Sequence, residues 1–285
     1  MQTRTNNRKL VSITTGQPAM DGDGVRMTRI IGTQELDILD PFLLLDNFES
    51  DQAEDYIGGF PDHPHRGFET VTYLLAGRMR HKDSAGHEGV IEAGGVQWMT
   101  AGKGIVHSEM PEQENGLLHG FQLWVNLPAN EKMQAPAYQE FNAEQIPVER
   151  QANATEVRVI AGETNAGTRG PVVNRHVDPL YLDVTLGARE KFYQRIDEEH
   201  QAFVFVIDGE IQIGPNKQLL GKRQLGVLDT GEEVSVSGDD ASRFLLIAGK
   251  PLREPVARGG PFVMNTREEV LQAFEDFNNN KLMEN

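Results

Sequence analysis

Glycine and proline interrupt this chain so regularly that long helices have little room to form. Its 285 residues include 29 Gly and 14 Pro, which separate short runs rich in β-branched and aromatic side chains. Residues 69–75 form one such run, ending at Gly77, and residues 120–127 form another, ending at Pro128. Short runs of this kind, separated by glycine or proline, continue through the second half of the chain. This pattern predicts an all-β protein built from sandwiches or barrels.

Length and one polar segment together predict two domains. A chain of 285 residues exceeds the usual domain size of about 100–150 residues. The proline-bearing segment 128–151 separates the two β-rich halves, so we expect one domain over residues 1–150 and a second over residues 151–285. Near the C-terminus, Thr266 and Glu269 have the spacing of a capping box and precede apolar residues at helical intervals. This predicts one short helix at the end of the chain.

Composition excludes several classes of protein. The absence of cysteine excludes thiolate zinc sites, iron–sulfur clusters and cysteine nucleophiles, so any metal must bind nitrogen and oxygen ligands. A net charge of −16 disfavours direct binding to nucleic acid or to an anionic membrane surface. No apolar run reaches the roughly 18 residues of a membrane span, and the opening MQTRTNNRKL lacks the apolar core of a secretory signal. We expect a soluble, cytoplasmic protein with no nucleic-acid or membrane partner.

The runs DHPHRGFE and HSE carry the most informative pattern in the sequence. In them, His63 and His65 are two residues apart, and so are His107 and Glu109. Residues i and i+2 of a strand face the same side, so two such strands in one barrel bring three imidazoles and a carboxylate together. Each histidine alone is most simply a hydrogen-bonded structural residue. The two pairs together predict a site for a divalent transition metal with open coordination positions.

Three other residues near these pairs need an interpretation. Glu69 has the same strand parity as His63 and His65 and is a rival ligand. His81 and His87 lie in the polar stretch RHKDSAGHEG, which is typical of a hairpin tip. We expect both of these histidines to face solvent.

The segments GFPDHPHRGFETVTYLLAG, QWMTAGKGIVHSEMP and GFQLWVNLP resemble the pirin family of the cupin superfamily. DPFLLLDNF and GPFVMNT do so as well, and the resemblance therefore covers nearly the whole chain. It implies an all-β bicupin, with two tandem cupin jelly-roll β-barrels and a short C-terminal helix, and one iron in the N-terminal barrel. The implied ligands are His63, His65, His107 and Glu109. Fe(II) is the expected metal, and Mn, Co, Ni, Cu and Zn suit the same ligands.

The sequence departs from the general cupin pattern at two positions. That pattern places a glutamate four residues after the H-x-H pair, where this chain has Glu69, and an asparagine four residues after the last histidine, where it has Pro111. We favour Glu109 as the ligand because it follows the pirin pattern, and Glu69 as a carboxylate that orients an imidazole. The second half has His176 and His200 but no H-x-H or H-x-E. We expect a second barrel without metal ligands.

The resemblance implies a quercetin 2,3-dioxygenase activity, in which dioxygen opens a flavonol ring and carbon monoxide is released. Glu109 would be the catalytic base that takes the proton of the flavonol 3-hydroxyl. The alternative is a redox-sensing iron protein that regulates a protein partner, as a transcription cofactor or a modulator of metabolic enzymes. Apolar residues that flank the ligand motifs are candidates for a flavonol pocket, although barrel core is their commoner role: Phe60, Trp98, Met99 and Met110.

Overall fold

The computed structural model describes residues 6–152 and 154–284, and strands dominate these ranges. Residues 1–5 of the opening segment, where no signal core was predicted, lie outside them. The strands are β1 Leu10–Thr14, β2 Gln17–Asp21, β3 Val25–Ile31, β4 Phe42–Ser50, β5 Phe60–His65, β6 Phe68–Ala76, β7 Arg78–Asp83, β8 Glu88–Glu92, β9 Val96–Thr100, β10 Ile105–Pro111, β11 Leu118–Asn126, β12 Ala137–Phe141, β13 Val148–Arg150, β14 Glu156–Ala161, β15 Leu180–Leu186, β16 Lys191–Arg195, β17 Gln201–Asp208, β18 Glu210–Ile213, β19 Gln218–Gly221, β20 Leu225–Leu228, β21 Glu233–Ser237, β22 Ser242–Gly249, β23 Ala257–Gly259 and β24 Phe262–Met264. Short 3-10 helices span Ala53–Asp55 and Ala129–Glu131, and the helix α1 spans Arg267–Asn278.

The predicted C-terminal helix is confirmed, together with its capping box. The Thr266 side chain accepts a hydrogen bond from the Glu269 backbone N–H at 3.2 Å, and the Glu269 carboxylate accepts one from the Thr266 N–H at 2.8 Å. These two bonds satisfy backbone donors that the first helical turn leaves without partners. Within the described ranges, no helix is long and apolar enough to cross a membrane.

The chain forms two compact units that are not continuous in sequence. The first unit comprises residues 17–143 and 252–284, and the second comprises residues 6–16 and 144–251. This grouping differs from the expected division at residue 150 at both ends of the chain. β1 pairs with β20, and its Leu10 is buried in the core of the second unit. Ala273, in the C-terminal helix α1, is buried with Phe262 in the first unit.

The first unit is a jelly-roll barrel made from two antiparallel sheets. Its larger sheet has the strand order β12-β9-β6-β11-β4-β3-β2, and its smaller sheet has the order β5-β10-β7-β8. β12 lies inside the polar segment that the sequence predicts as a linker, but it pairs with β9 and belongs to the barrel. The short hairpin of β23 and β24 completes this unit.

The second unit repeats the architecture of the first but has an apolar interior. Its sheets have the orders β1-β20-β17-β22-β15-β14-β13 and β16-β21-β18-β19. Alternate residues of the smaller sheet are buried in one hydrophobic cluster, among them Phe192, Ile211, Ile213, Val234 and Val236. The predicted fold class, two cupin jelly-roll barrels with a short C-terminal helix, is confirmed.

Candidate metal centre

Three predicted histidines converge on the inner face of the first barrel because β5 and β10 form an antiparallel pair. His107 lies opposite His63, and Ile105 lies opposite His65. The ring centroid of His63 is 4.7 Å from that of His65 and 4.5 Å from that of His107, and the last two are 5.1 Å apart. One potential ligand nitrogen from each ring lies within 4.8 Å of the other two. The i, i+2 spacing on two paired strands thus produces a compact group of imidazoles.

The hydrogen bonds and burial of these three rings leave ring nitrogens available to bind a metal. The His63 Nδ1–H donates to the Pro61 carbonyl at 2.8 Å, which directs the Nε2 lone pair toward a ligand. His107 is 1% exposed, and neither of its ring nitrogens has a hydrogen-bond partner among the described residues. Burial lowers the pKa of His65 and of His107 well below the usual range, and the neighbouring imidazoles add to the effect. Neutral, buried imidazoles suit a divalent metal of borderline hardness.

Glu109 lies on the wall of the same cavity but outside the compact group of imidazoles. The β5–β10 register shifts between His107 and Glu109. In the observed position, one Glu109 oxygen lies 2.8 Å from the Thr72 hydroxyl and the other lies 3.2 Å from the Gln122 amide nitrogen. Thr72 and Gln122 lie opposite each other on β6 and β11. The larger sheet therefore anchors the carboxylate.

Glu69 is not part of the group of imidazoles found among the described residues. Glu69 is buried and accepts a hydrogen bond from the Thr100 hydroxyl at 2.7 Å. The shared parity predicted from the sequence assumes one strand from His63 to Glu69, but β5 ends at His65 and β6 begins at Phe68. The turn between them changes the face that Glu69 occupies, so that Glu69 and Thr72 lie on opposite faces of β6.

The expectation that His81 faces solvent is wrong. His81 is 4% exposed, because β7 pairs with β10 and places His81 opposite Glu109. Its Nε2 lies 2.6 Å from a Glu140 carboxylate oxygen. Gly89 leaves room for this pair, since a Cβ atom there would lie 2.5 Å from His81 Nε2. His87 is exposed, as expected, with its Nδ1 3.0 Å from the Asp83 carboxylate.

A cavity of about 470 Å³ opens onto this site. Of the four predicted pocket residues, Phe60 lines it, whereas Trp98, Met99 and Met110 are not among its lining residues. Met99 belongs to a buried apolar cluster instead. The remaining wall includes residues that the sequence analysis did not name as pocket residues: Arg29, Asp46, Phe48, Gln122, Trp124 and Arg258.

The turn that follows His65 is clamped by a buried arginine. Arg66 donates from Nη1 to the Asp276 carboxylate at 2.7 Å, from Nη2 to the Leu282 carbonyl at 2.9 Å and from Nε to the Lys103 carbonyl. At the next position, Gly67 has a φ of +89°, and a Cβ atom there would lie 2.0 Å from the Val263 carbonyl oxygen. The C-terminal segment thereby holds the turn that carries His65.

We expect Asp276→Ala to destabilise the protein by about 3–5 kcal/mol, because it leaves the buried Arg66 guanidinium without a counter-ion. Urea unfolding of the metal-free protein measures this loss. Glu275→Ala is the matched control, since Glu275 is an exposed acid on the same helix, and its effect should stay within about 0.5 kcal/mol. Equal effects of the two substitutions would contradict a structural role for the Arg66–Asp276 pair.

Two jelly-roll barrels, the first with three inward-facing histidines and the second with an apolar interior, define a bicupin with one candidate metal centre. The Pirin family model matches residues 24–125, and the Pirin C-terminal cupin domain model matches residues 181–283. A pirin-like protein of Caulobacter vibrioides is 54% identical over 95% of this chain and 97% of its own length. The Pirin of Homo sapiens is 46% identical over 97% of this chain and 94% of its own length. The chain belongs to the pirin family.

The fold is also similar to a solved structure that is named as an enzyme. The crystal structure of quercetin 2,3-dioxygenase from Acinetobacter baumannii matches this fold with a TM-score of 0.88 and 34% sequence identity. The match covers 97% of this chain and 98% of that one. Similarity over both chains indicates that the two proteins share both barrels.

Proposed function

We propose that this protein is a metal-dependent dioxygenase of the quercetin 2,3-dioxygenase type, which opens a flavonol ring with release of carbon monoxide. The observation that carries the proposal is the group of three converging imidazoles, two of them buried, beside a cavity of about 470 Å³. The similarity to the Acinetobacter baumannii quercetin 2,3-dioxygenase supports the substrate class. His63, His65, His107 and Glu109 are the proposed ligands, and Fe(II) is the proposed metal, with Mn, Co, Ni, Cu and Zn as alternatives.

The donor set fits such a metal, because three imidazoles and a carboxylate are ligands of borderline hardness. When bound, the metal would supply Lewis acidity and open coordination positions. The protein supplies the shape of the site. A cavity of about 470 Å³ lies within the range of roughly 300–1,000 Å³ that is typical of small-molecule sites. Trp124, Phe48 and Phe60 give it aromatic walls suited to a flat polyphenol.

Glu109, Thr72 and Gln122 form a ring of polar contacts that can hold a proton. The Thr72 hydroxyl lies 2.8 Å from Glu109 Oε1 and 2.6 Å from Gln122 Oε1, and Gln122 Nε2 lies 3.2 Å from Glu109 Oε2. A single hydroxyl hydrogen cannot serve both Thr72 contacts. A proton on Glu109 Oε1 completes the ring, because Glu109 then donates to Thr72, Thr72 donates to Gln122, and Gln122 donates to Glu109.

This ring of contacts supports Glu109 as the proposed catalytic base. The proton of the flavonol 3-hydroxyl would move to Glu109 Oε1, where the Thr72 oxygen accepts the new hydrogen bond. Flavonol and dioxygen together contain all the atoms of the opened product and carbon monoxide, so the proton returns to the product at the end of the cycle. Burial of Glu109 keeps competing water away from this transfer.

Dioxygen uptake by the metal-loaded protein tests the proposal. We expect uptake and carbon monoxide release in equal amounts with a flavonol, and neither with the matching flavone that lacks the 3-hydroxyl, because the flavone has no enol proton to give to Glu109. Metal-free protein is the control and should be inactive. Activity is followed with an oxygen electrode and by carbon monoxide binding to a haem protein.

If metal-replete protein neither takes up dioxygen nor releases carbon monoxide with a flavonol, the enzymatic proposal is overturned. The regulatory alternative predicts that result together with a partner affinity that differs between the Fe(II) and Fe(III) forms by a coupling of about 1–3 kcal/mol. Binding of a protein partner to the two forms measures this coupling.

A further inference from the structure

The cavity beside the imidazoles carries an arginine, Arg258, whose positive charge favours the ionised form of the nearby Asp46 carboxylate but is not paired with it. Arg258, on β23, lines the cavity and donates from Nη1 to the Leu43 carbonyl at 2.9 Å. It forms no ion pair within the described ranges. The nearby Gly32 leaves room for the guanidinium, because a Cβ atom there would lie 3.3 Å from Arg258 Nη2. One hydrogen bond therefore anchors the group and leaves donors on Nε and Nη2 for a ligand.

The second arginine of the cavity differs in this respect. Arg29 donates from Nε and Nη2 to the two oxygens of the buried Asp46 carboxylate, at 2.9 and 2.8 Å. Asp21 adds a contact of 3.2 Å on its other side. Because two carboxylates already engage Arg29, a ligand would gain little from it. Arg258 is the cavity cation that a bound anion would meet.

The charge of the whole chain makes this local cation significant. A net charge of −16 repels anionic ligands from the surface as a whole. A cavity that accepts an anion must offset this repulsion with a cation of its own. A guanidinium suits the task because its charge-assisted hydrogen bonds to a carboxylate are roughly twice as strong as neutral ones.

We propose that Arg258 is a specificity-determining residue that selects planar aromatic enols carrying an anionic substituent, such as a carboxylate, over neutral flavonols. The choice of an enol rests on the proposed function, because the enol is the group that would bind beside the imidazoles and Glu109. The charge selection at Arg258 acts in binding and does not depend on turnover.

Two matched probes test the proposal with metal-free full-length protein, namely 3-hydroxyflavone-4′-carboxylate and the corresponding neutral 4′-carboxamide. Dissociation constants come from quenching of tryptophan fluorescence, since Trp124 lines the cavity. We expect the carboxylate to bind about tenfold more tightly, and the preference to shrink as salt is added. Arg258→Gln should bring the ratio of the two constants close to one, and Arg258→Lys should retain part of the preference.

Arg267→Gln is the matched control, because it removes the same charge from an exposed position that does not line the cavity. It should keep the full preference. Equal ratios in wild type and Arg258→Gln, equal losses in Arg258→Gln and Arg267→Gln, or no binding of either probe to wild type would each overturn the inference.

These outcomes also separate the inference from the proposed function. A charge preference that depends on Arg258, without dioxygen uptake by metal-loaded protein, would overturn the dioxygenase and support the specificity residue. Efficient turnover of neutral flavonols without a charge preference would support the dioxygenase and overturn the role of Arg258 in specificity.

Discussion

Replacement of His107 by Ala is expected to leave a folded protein that no longer retains a metal. The wild-type protein should bind one metal per chain, and the loss of one of three imidazoles should lower the affinity by more than about 100-fold, beyond the cost of losing an outer partner of a ligand. Stability without metal should change little, since neither ring nitrogen of His107 has a partner among the described residues. Burying such unpaired groups is costly, which offsets the packing lost with the ring. Metal analysis and thermal unfolding measure the two effects.

His87→Ala is the matched control for this prediction. His87 is an exposed histidine of the same barrel, 3.0 Å from Asp83 and outside the imidazole group. Added metal should raise the melting temperature of the wild type and of His87→Ala, because a ligand that binds only the folded state stabilises it. It should not raise that of His107→Ala. Stoichiometric metal in His107→Ala would show that the ligands are wrongly assigned.

Local sequence pattern predicts the strands of this fold but not the partition of the chain between the barrels. Gly77 and Pro128 end strand-sized runs, and the capping box at Thr266 starts the helix, because these signals act over a few residues. The pairing of β1 with β20 joins Leu10 to Leu228 across more than two hundred positions. Such pairings depend on complementary sheet edges and apolar faces, which no short window of sequence contains.

In the candidate site too, features set by neighbouring residues could be predicted from the sequence, whereas features set by the pairing of distant strands could not. The spacing of His63 and His65 predicts that they share one face, because both lie on β5. Their approach to His107 depends on the pairing of β5 with β10. The parity of Glu69 fails because a turn interrupts the strand, and the burial of His81 was missed because it follows from the pairing of β7 with β10. Arg258 reaches the cavity from the C-terminal hairpin and has no local motif that could predict its role.

The choice between Glu109 and Glu69 as metal ligand is a prediction with a large expected difference in effect. We expect Glu109→Gln to abolish stable metal binding, because it removes the charged oxygen donor on the cavity wall. Glu69→Gln should cost at most about 10- to 100-fold in affinity, as for a residue that acts through another. The hydrogen bond from Thr100 and the position of Glu69 on the face of β6 opposite Thr72 favour the smaller effect. Titration of each metal-free variant with Fe(II) under anaerobic conditions gives the two affinities.

Turnover at saturating metal separates the two roles proposed for Glu109. An amide in place of the carboxylate cannot hold the proton that completes the ring with Thr72 and Gln122, so Glu109→Gln should remain inactive even when enough metal is supplied to fill the site. Glu69→Gln should regain activity under the same conditions, since it changes neither the base nor the cavity wall. If Glu69→Gln instead empties the site while Glu109→Gln binds metal normally, the ligand set follows the general cupin arrangement, and the proton ring has no part in the reaction.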